Sequence, residues 1–187
     1  MGLPIRTRLA EDAHAREGPG VDLIALVEGN LAFLDETNRT RRREYVHPHT
    51  TARTATIERG DACALAILEY DLSYPATVTN AVRYWLYEWQ AKPGHLVRYE
   101  GVFAGTGSMP APEPVAAALT VLPALGSLNI PLVAGSLDEQ RRVKPAPGIL
   151  TGVDAVLDES SRLAWPLAAR REEAVAATAR GSVACGT

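Results

Sequence analysis

His47 and His49 flank Pro48 in the run RRREYVHPHTTART, residues 41–54. Two imidazoles at i and i+2 on an extended strand point to one side and can share a metal ion. A third ligand is then required, and His95, Glu58, Asp61 or Cys63 could supply it across the hairpin. The pattern lacks the glutamate that a cupin places four or five residues after the second histidine. Arg53 and Thr54 occupy those positions, and no HExxH occurs. A small metal-dependent or ligand-binding enzyme centred on His47, His49 and His95 is therefore one of three functions the sequence allows.

The same run carries a second kind of chemistry. Residues 39–59 hold six arginines (39, 41, 42, 43, 53 and 59) against Glu44 and Glu58, a local net charge of +4. Arg39, Arg41, Arg42 and Arg43 could grip phosphates. Only Tyr45 is at hand for base stacking, so a single-strand platform is missing. The whole chain carries −3, which gives no global field toward nucleic acid. A nucleic-acid-binding module is the third-ranked function, and no nucleic-acid partner is expected.

Nucleophilic and cofactor motifs are absent from the sequence. The serines of GTGS, AGSL and DESS stand outside a GxSxG frame. Gly101, Gly105 and Gly107 do not follow the dinucleotide order, and there is no phosphate-binding GxxxxGK[ST]. Cys63 lies inside an apolar run, and Cys185 stands 122 positions on. That spacing excludes CxxC chemistry and suits a reducing compartment. No cofactor is expected.

The elements that must carry these residues follow from periodicity. Residues 1–20 are polar, end in Gly-Pro-Gly and are expected to form a flexible arm before a single domain over 21–187. Charges run throughout that arm, so no secretory signal is expected. Ile24, Val27, Leu31 and Leu34 share one helical face, which predicts a helix over 21–35. The threonine-rich 41–58 reads as an edge strand because Pro48 lacks an amide donor. Residues 62–72 read as its hairpin partner.

Val78, Val82, Leu86 and Trp89 form the stripe of the main helix, over about residues 76–90, and Trp85 widens it. A strand is expected over 95–105. Residues 114–137 carry no charge, but Pro123, Gly126 and Pro131 argue against a membrane span. A short helix over about 113–122 and a strand near 130–134 are expected there. Residues 152–158 and 162–168 read as a hairpin around Glu159-Ser160-Ser161.

The fold expected is a single α+β domain: a mainly antiparallel sheet with one or two packed helices, the main one at about 76–90. The leading function is a non-enzymatic assembly subunit of a homo-oligomer or larger particle, of a phage- or virion-like kind. It would self-associate in the cytoplasm, away from membranes. Arg41, Arg42, Arg43, Trp85 and Trp89 are its expected interface residues. Trp and Arg are favoured anchors at such surfaces.

Overall fold

A computed structural model describes residues 2–16, 20–26, 28, 31–68, 75–99, 122–144 and 146–183. Helix α1 spans Gly2–His14 and α2 spans Pro48–Arg59. Strand β1 (Cys63–Leu68) leads to α3 (Ala76–Arg83) and then to β2 (Pro93–Tyr99). Strand β3 (Leu122–Ile130) and the long helix α4 (Pro147–Val183) complete the order. The sheet has three strands in the order β1-β2-β3, and both pairings are parallel.

This corrects the expected architecture. The sheet is parallel rather than mainly antiparallel, and four α-helices stand among the described residues rather than one or two. Residues 63–68 are a strand, but their neighbour is β2, reached through α3 and not through a hairpin turn. Cys63 faces Gly94 and Leu68 faces Tyr99 in that register. A parallel pair requires such a crossover, since a tight turn can only reverse the chain.

Helix α2 forms where an edge strand is expected. His47 is its extended N-cap and Pro48 takes the first helical position, where the missing amide costs nothing. The threonines adapt to the helix by bonding backward. Thr51 Oγ1 donates to the His47 carbonyl at 3.3 Å and Thr54 Oγ1 to that of Thr50 at 3.0 Å.

Helix α3 stops at Arg83, short of the expected 90. Tyr84 and Trp85 are consecutive and both buried, which one helical stripe cannot achieve. The chain leaves the helix so that both rings pack with Ile57 of α2. Trp89 then returns, and its Nε1 donates to the Val82 carbonyl at 3.2 Å, satisfying one open end of the helix.

β3 contains Pro123, which is tolerated because β3 is an edge strand among the described residues and its pairing shifts between Gly94 and Leu96. The expected helix over 113–122 falls almost wholly on residues outside those described. The expected hairpin over 152–168 is one continuous stretch of α4, with Pro166 inside it. Ile149 and Val153 put an apolar face on the sheet at helical spacing.

The stripe in 21–35 does not become a helix: residues 20–26 and 31–35 are irregular. Leu23, Ile24 and Leu34 stay about half exposed there. Most helices need a packed apolar face, and of this stripe Leu31 packs against Ile57, Tyr84 and Trp85 while Ile24 and Leu34 stay open.

The segment expected as an arm, Gly2–His14, is α1, and its Ile5, Ala10 and Ala13 are buried. α1 and α4 cover one face of the sheet. Ile5, Ile149 and Val153 meet Val97, Tyr99, Leu128 and Ile130, with Val133 and Val143 closing the cluster. Arg16 clips the two helices together through Asp154 and Asp158. Among the described residues no helix is long and apolar enough to cross a membrane.

Candidate functional site

Parallel pairing sends all three strands out at one edge. Leu68, Tyr99 and Ile130 end β1, β2 and β3 side by side there. In open sheets of this kind ligands bind outside the carboxyl ends of the strands. The connections that leave β1 and β2 there, residues 69–74 and 100–121, lie outside the described residues. So do the glycines of 101–107 that the sequence singled out.

The connection leaving β3 is described. Pro131 and Leu132 are exposed, and Val133 is fully buried and anchors the turn. Leu132 adopts the left-handed conformation, φ 47 and ψ 48. The Gly135 amide donates to its carbonyl at 2.9 Å.

A second polar constellation lies at the start of α2. His49 Nε2 donates to Asp35 Oδ1 at 3.1 Å, and His47 Nε2 donates to the Asp35 carbonyl at 3.1 Å. The two rings stack, 5.2 Å apart and 6° from parallel. The Tyr84 hydroxyl reaches Asp35 Oδ1 at 2.9 Å, the Phe33 carbonyl at 3.0 Å and the Ala32 carbonyl at 3.1 Å. One hydroxyl proton serves these three acceptors in turn.

The hydrogen bond from Tyr84, with that from His49, holds the Asp35 carboxyl below its ordinary range. Burial and the Asp35 charge push the Tyr84 phenol up to about 12. Glu36 accepts from the Val46 amide at 2.9 Å and the His47 amide at 3.3 Å. The cluster thus fastens residues 31–46 onto α2.

The pair His47 and His49 is brought together as the sequence suggests, but at a helix start. His95 is fully buried on β2, in the strand row shared with Val97 and Tyr99. Among the described residues no group of three or more His, Cys, Asp or Glu is placed to hold a metal ion. That overturns the metal-enzyme alternative.

Of the arginines, Arg39 is exposed, and Arg42 is exposed 4.0 Å from Glu44. The Arg41 side chain falls outside what is described. Arg43 turns inward to Glu58 and Glu88. Trp85 is buried, its Nε1 donating to Thr54 Oγ1 at 3.0 Å, and Trp89 is half-buried.

Sequence reasoning passed over Asp35, Tyr84, Glu88 and Leu132. The adjacent carboxylates Asp35-Glu36 ahead of a Pro-led helix were a usable signal. For Leu132 there was none, because a left-handed leucine has no local signature.

No protein-family model matches this chain, and no curated protein sequence does. Solved structures do share its fold. One is FerB, a flavoenzyme NAD(P)H:(acceptor) oxidoreductase from Paracoccus denitrificans, at TM-score 0.63 and 19% identity, covering 86% of this chain and 88% of that one. Another is an oxidoreductase from Corynebacterium diphtheriae, at TM-score 0.57 and 13% identity, covering 90% of this chain and 86% of that one.

These likenesses correct the leading expectation. A fold shared with two oxidoreductases over nearly the whole chain replaces the non-enzymatic, virion-like assembly subunit. The lean away from an enzyme also loses its support, because the fold is one that two oxidoreductases share.

Proposed function

We propose that this chain is an oxidoreductase that transfers reducing equivalents from NAD(P)H to an acceptor through a flavin held at the carboxyl edge of the sheet. One observation carries the proposal. All three parallel strands open at a single edge, in a fold that FerB shares. Pro131, exposed and apolar beside the end of β3, suits a planar ring system. When bound, a flavin supplies a two-electron relay between the nicotinamide and the acceptor.

The chain's own part is narrower. The ends of β1, β2 and β3 set the edge against which a ring can lie. Val133 and Val143, both buried, hold the turn after β3 in place. The core on the α1 and α4 face keeps that edge rigid, as a redox site requires for repeatable geometry. We place the protein in the cytoplasm, where NAD(P)H is supplied.

The test is direct. Protein incubated with FMN or FAD and passed through a sizing column should retain flavin absorbance. The loaded protein should then oxidise NADH or NADPH when ferricyanide is present. Protein that retains neither flavin and oxidises neither nucleotide above the free-flavin rate sinks the proposal.

A further inference from the structure

We propose that Leu132 is a specificity residue of this edge: its side chain forms an apolar wall against a ring-bearing organic electron acceptor. The inference rests on the oxidoreductase reading above and adds a residue to it. Three observations converge on Leu132, and none concerns the core.

Its backbone is left-handed, at φ 47 and ψ 48. A branched side chain is disfavoured there, and glycine or asparagine is the ordinary occupant. The residue is 61% exposed, while the nearby Ile130 and Val133 are at 2% and 0%. So leucine at this position has no comfort from its backbone and little from burial. Its place is two residues beyond the carboxyl end of β3, at the edge where ligands of parallel sheets bind.

Three other residues besides glycine have positive φ among those described: Arg43, Ala91 and Arg141. Two are charged and one is small, so none presents an exposed apolar surface. Arg43 is also occupied by its ion pairs with Glu58 and Glu88. Leu132 alone among them combines a costly backbone with an unused apolar side chain. Strain of this kind persists where a function selects it. A side chain that gains little in the free protein gains on contact with a ligand, and an apolar ring is the ligand a leucine rewards.

The buried Val133 and the Gly135 amide bond to the Leu132 carbonyl fix the backbone of the turn that carries the side chain. The reaction in question is balanced. A quinone, NADH and one proton give hydroquinone and NAD⁺, with the two electrons and one hydrogen of the nicotinamide passing to the quinone.

The experiment compares two acceptors on the flavin-loaded full chain. A naphthoquinone carries the apolar ring; ferricyanide takes electrons without one. Leu132→Gly should raise KM for the naphthoquinone about fivefold to tenfold, the range lost when a leucine-sized apolar contact is removed. It should leave flavin retention and the ferricyanide rate within about twofold, since about 1.4 kcal/mol is needed for a tenfold change. Its Tm should be equal to or above that of the parent, because glycine accepts the left-handed backbone. Leu132→Met, which keeps an apolar side chain, should hold the naphthoquinone KM near the parent value.

An unchanged naphthoquinone KM in Leu132→Gly overturns the inference while leaving the oxidoreductase reading intact. So does an equal fall with both acceptors, which would mean general damage to the edge. A parent protein that retains no flavin and reduces neither acceptor overturns both.

Discussion

Arg43→Met should destabilise the fold by about 3 kcal/mol, and the reason is a carboxylate with few alternatives. The Glu88 side chain is fully buried. Its Oε1 accepts from the Tyr45 hydroxyl at 2.8 Å and lies 3.3 Å from Arg43 Nε. Its Oε2 has no hydrogen-bond partner among the described residues. Removing Arg43 leaves a buried negative charge held by one phenol. Breaking a buried pair from one side costs about 3–5 kcal/mol, and the lower end applies because Arg43 is itself partly exposed.

Methionine keeps the aliphatic stem and leaves the left-handed backbone of Arg43, φ 56, as burdened as before. Glycine would relieve that backbone and blur the result. Glu88→Gln should cost only about 1 kcal/mol, since the amide keeps the Tyr45 bond and Arg43 keeps Glu58. The double variant should therefore be more stable than Arg43→Met alone, with a coupling of about 2 kcal/mol.

Urea unfolding followed by tryptophan fluorescence reads all four proteins, because Trp85 and Trp89 sit beside this cluster. In thermal melts the Arg43→Met loss should appear as roughly 6–12 °C, at about 2–4 °C per kcal/mol for a domain of this size. An Arg43→Met loss under about 1 kcal/mol refutes the argument. So does strict additivity in the double variant.

Three further outcomes are expected. Asp35 is held below its ordinary range by the Tyr84 and His49 hydrogen bonds, and Glu36, against the opposing effect of burial, by the Val46 and His47 amides. Depressed carboxyls stabilise above their unfolded values and lose that contribution as pH falls through their folded ones. Acid unfolding followed below about pH 4.5 should therefore be blunted in Asp35→Asn/Glu36→Gln, and an unchanged acid slope counts against the clasp.

Lys92 is pulled down to about 8 by burial, with Arg171 adding to it. Its unfolded value is higher, so its contribution to stability should rise between about pH 8 and 10. Cys63, pushed up to about 11 by burial, works in the opposite sense. The difference between parent and Lys92→Met in urea melts isolates the lysine, and a flat difference across that window would refute it.

A methyl group at Gly152 would meet Leu128 Cδ1 at 2.5 Å and Cγ at 3.4 Å. Gly152→Ala should lose about 1 kcal/mol in urea unfolding despite a gain in helix propensity of similar size. A stabilised variant would mean that α4 and β3 are not in close contact there.

Parts of this fold are legible in the sequence and parts are not, for identifiable reasons. The strand character of β2 is legible, because Val97 and Tyr99 alternate with Leu96 and Arg98, and the burial follows that alternation. The run CALAIL of β1 is legible as a strand, but strand direction is not. A short apolar run reads the same whether its partner arrives by a turn or by a crossover helix. α2 is hidden by threonines whose hydroxyls bond to their own helix, and α4 by the Ser-Ser pair and Pro166. At the site, the nearness of His47 and His49 is visible in their spacing. Asp35 meets Tyr84 across 49 positions and Tyr45 meets Glu88 across 43, and no local pattern joins either pair.

Strand direction matters more to function here than any single residue. An antiparallel sheet sends neighbouring carboxyl ends out at opposite edges, whereas this parallel one gathers all three at one edge. The amino edge is closed by polar ties. Lys92 Nζ donates to the Ile57 and Glu58 carbonyls at the end of α2, and Arg171 of α4 reaches Asp61 and the Ala91 carbonyl. Each of these bonds satisfies backbone or charge within the protein and leaves little for a ligand. The carboxyl edge has the opposite character where it is described: an exposed proline, an exposed leucine in a costly conformation, and a buried valine that holds them in place. A division of labour follows. Lys92→Met and Arg171→Met should lower stability while leaving NAD(P)H turnover per folded molecule unchanged. Changes at Leu132 should alter turnover with ring acceptors and spare stability. Steady-state rates normalised to the folded fraction separate the two edges. If Lys92→Met alters KM as strongly as Leu132→Gly does, the site does not belong to the carboxyl edge.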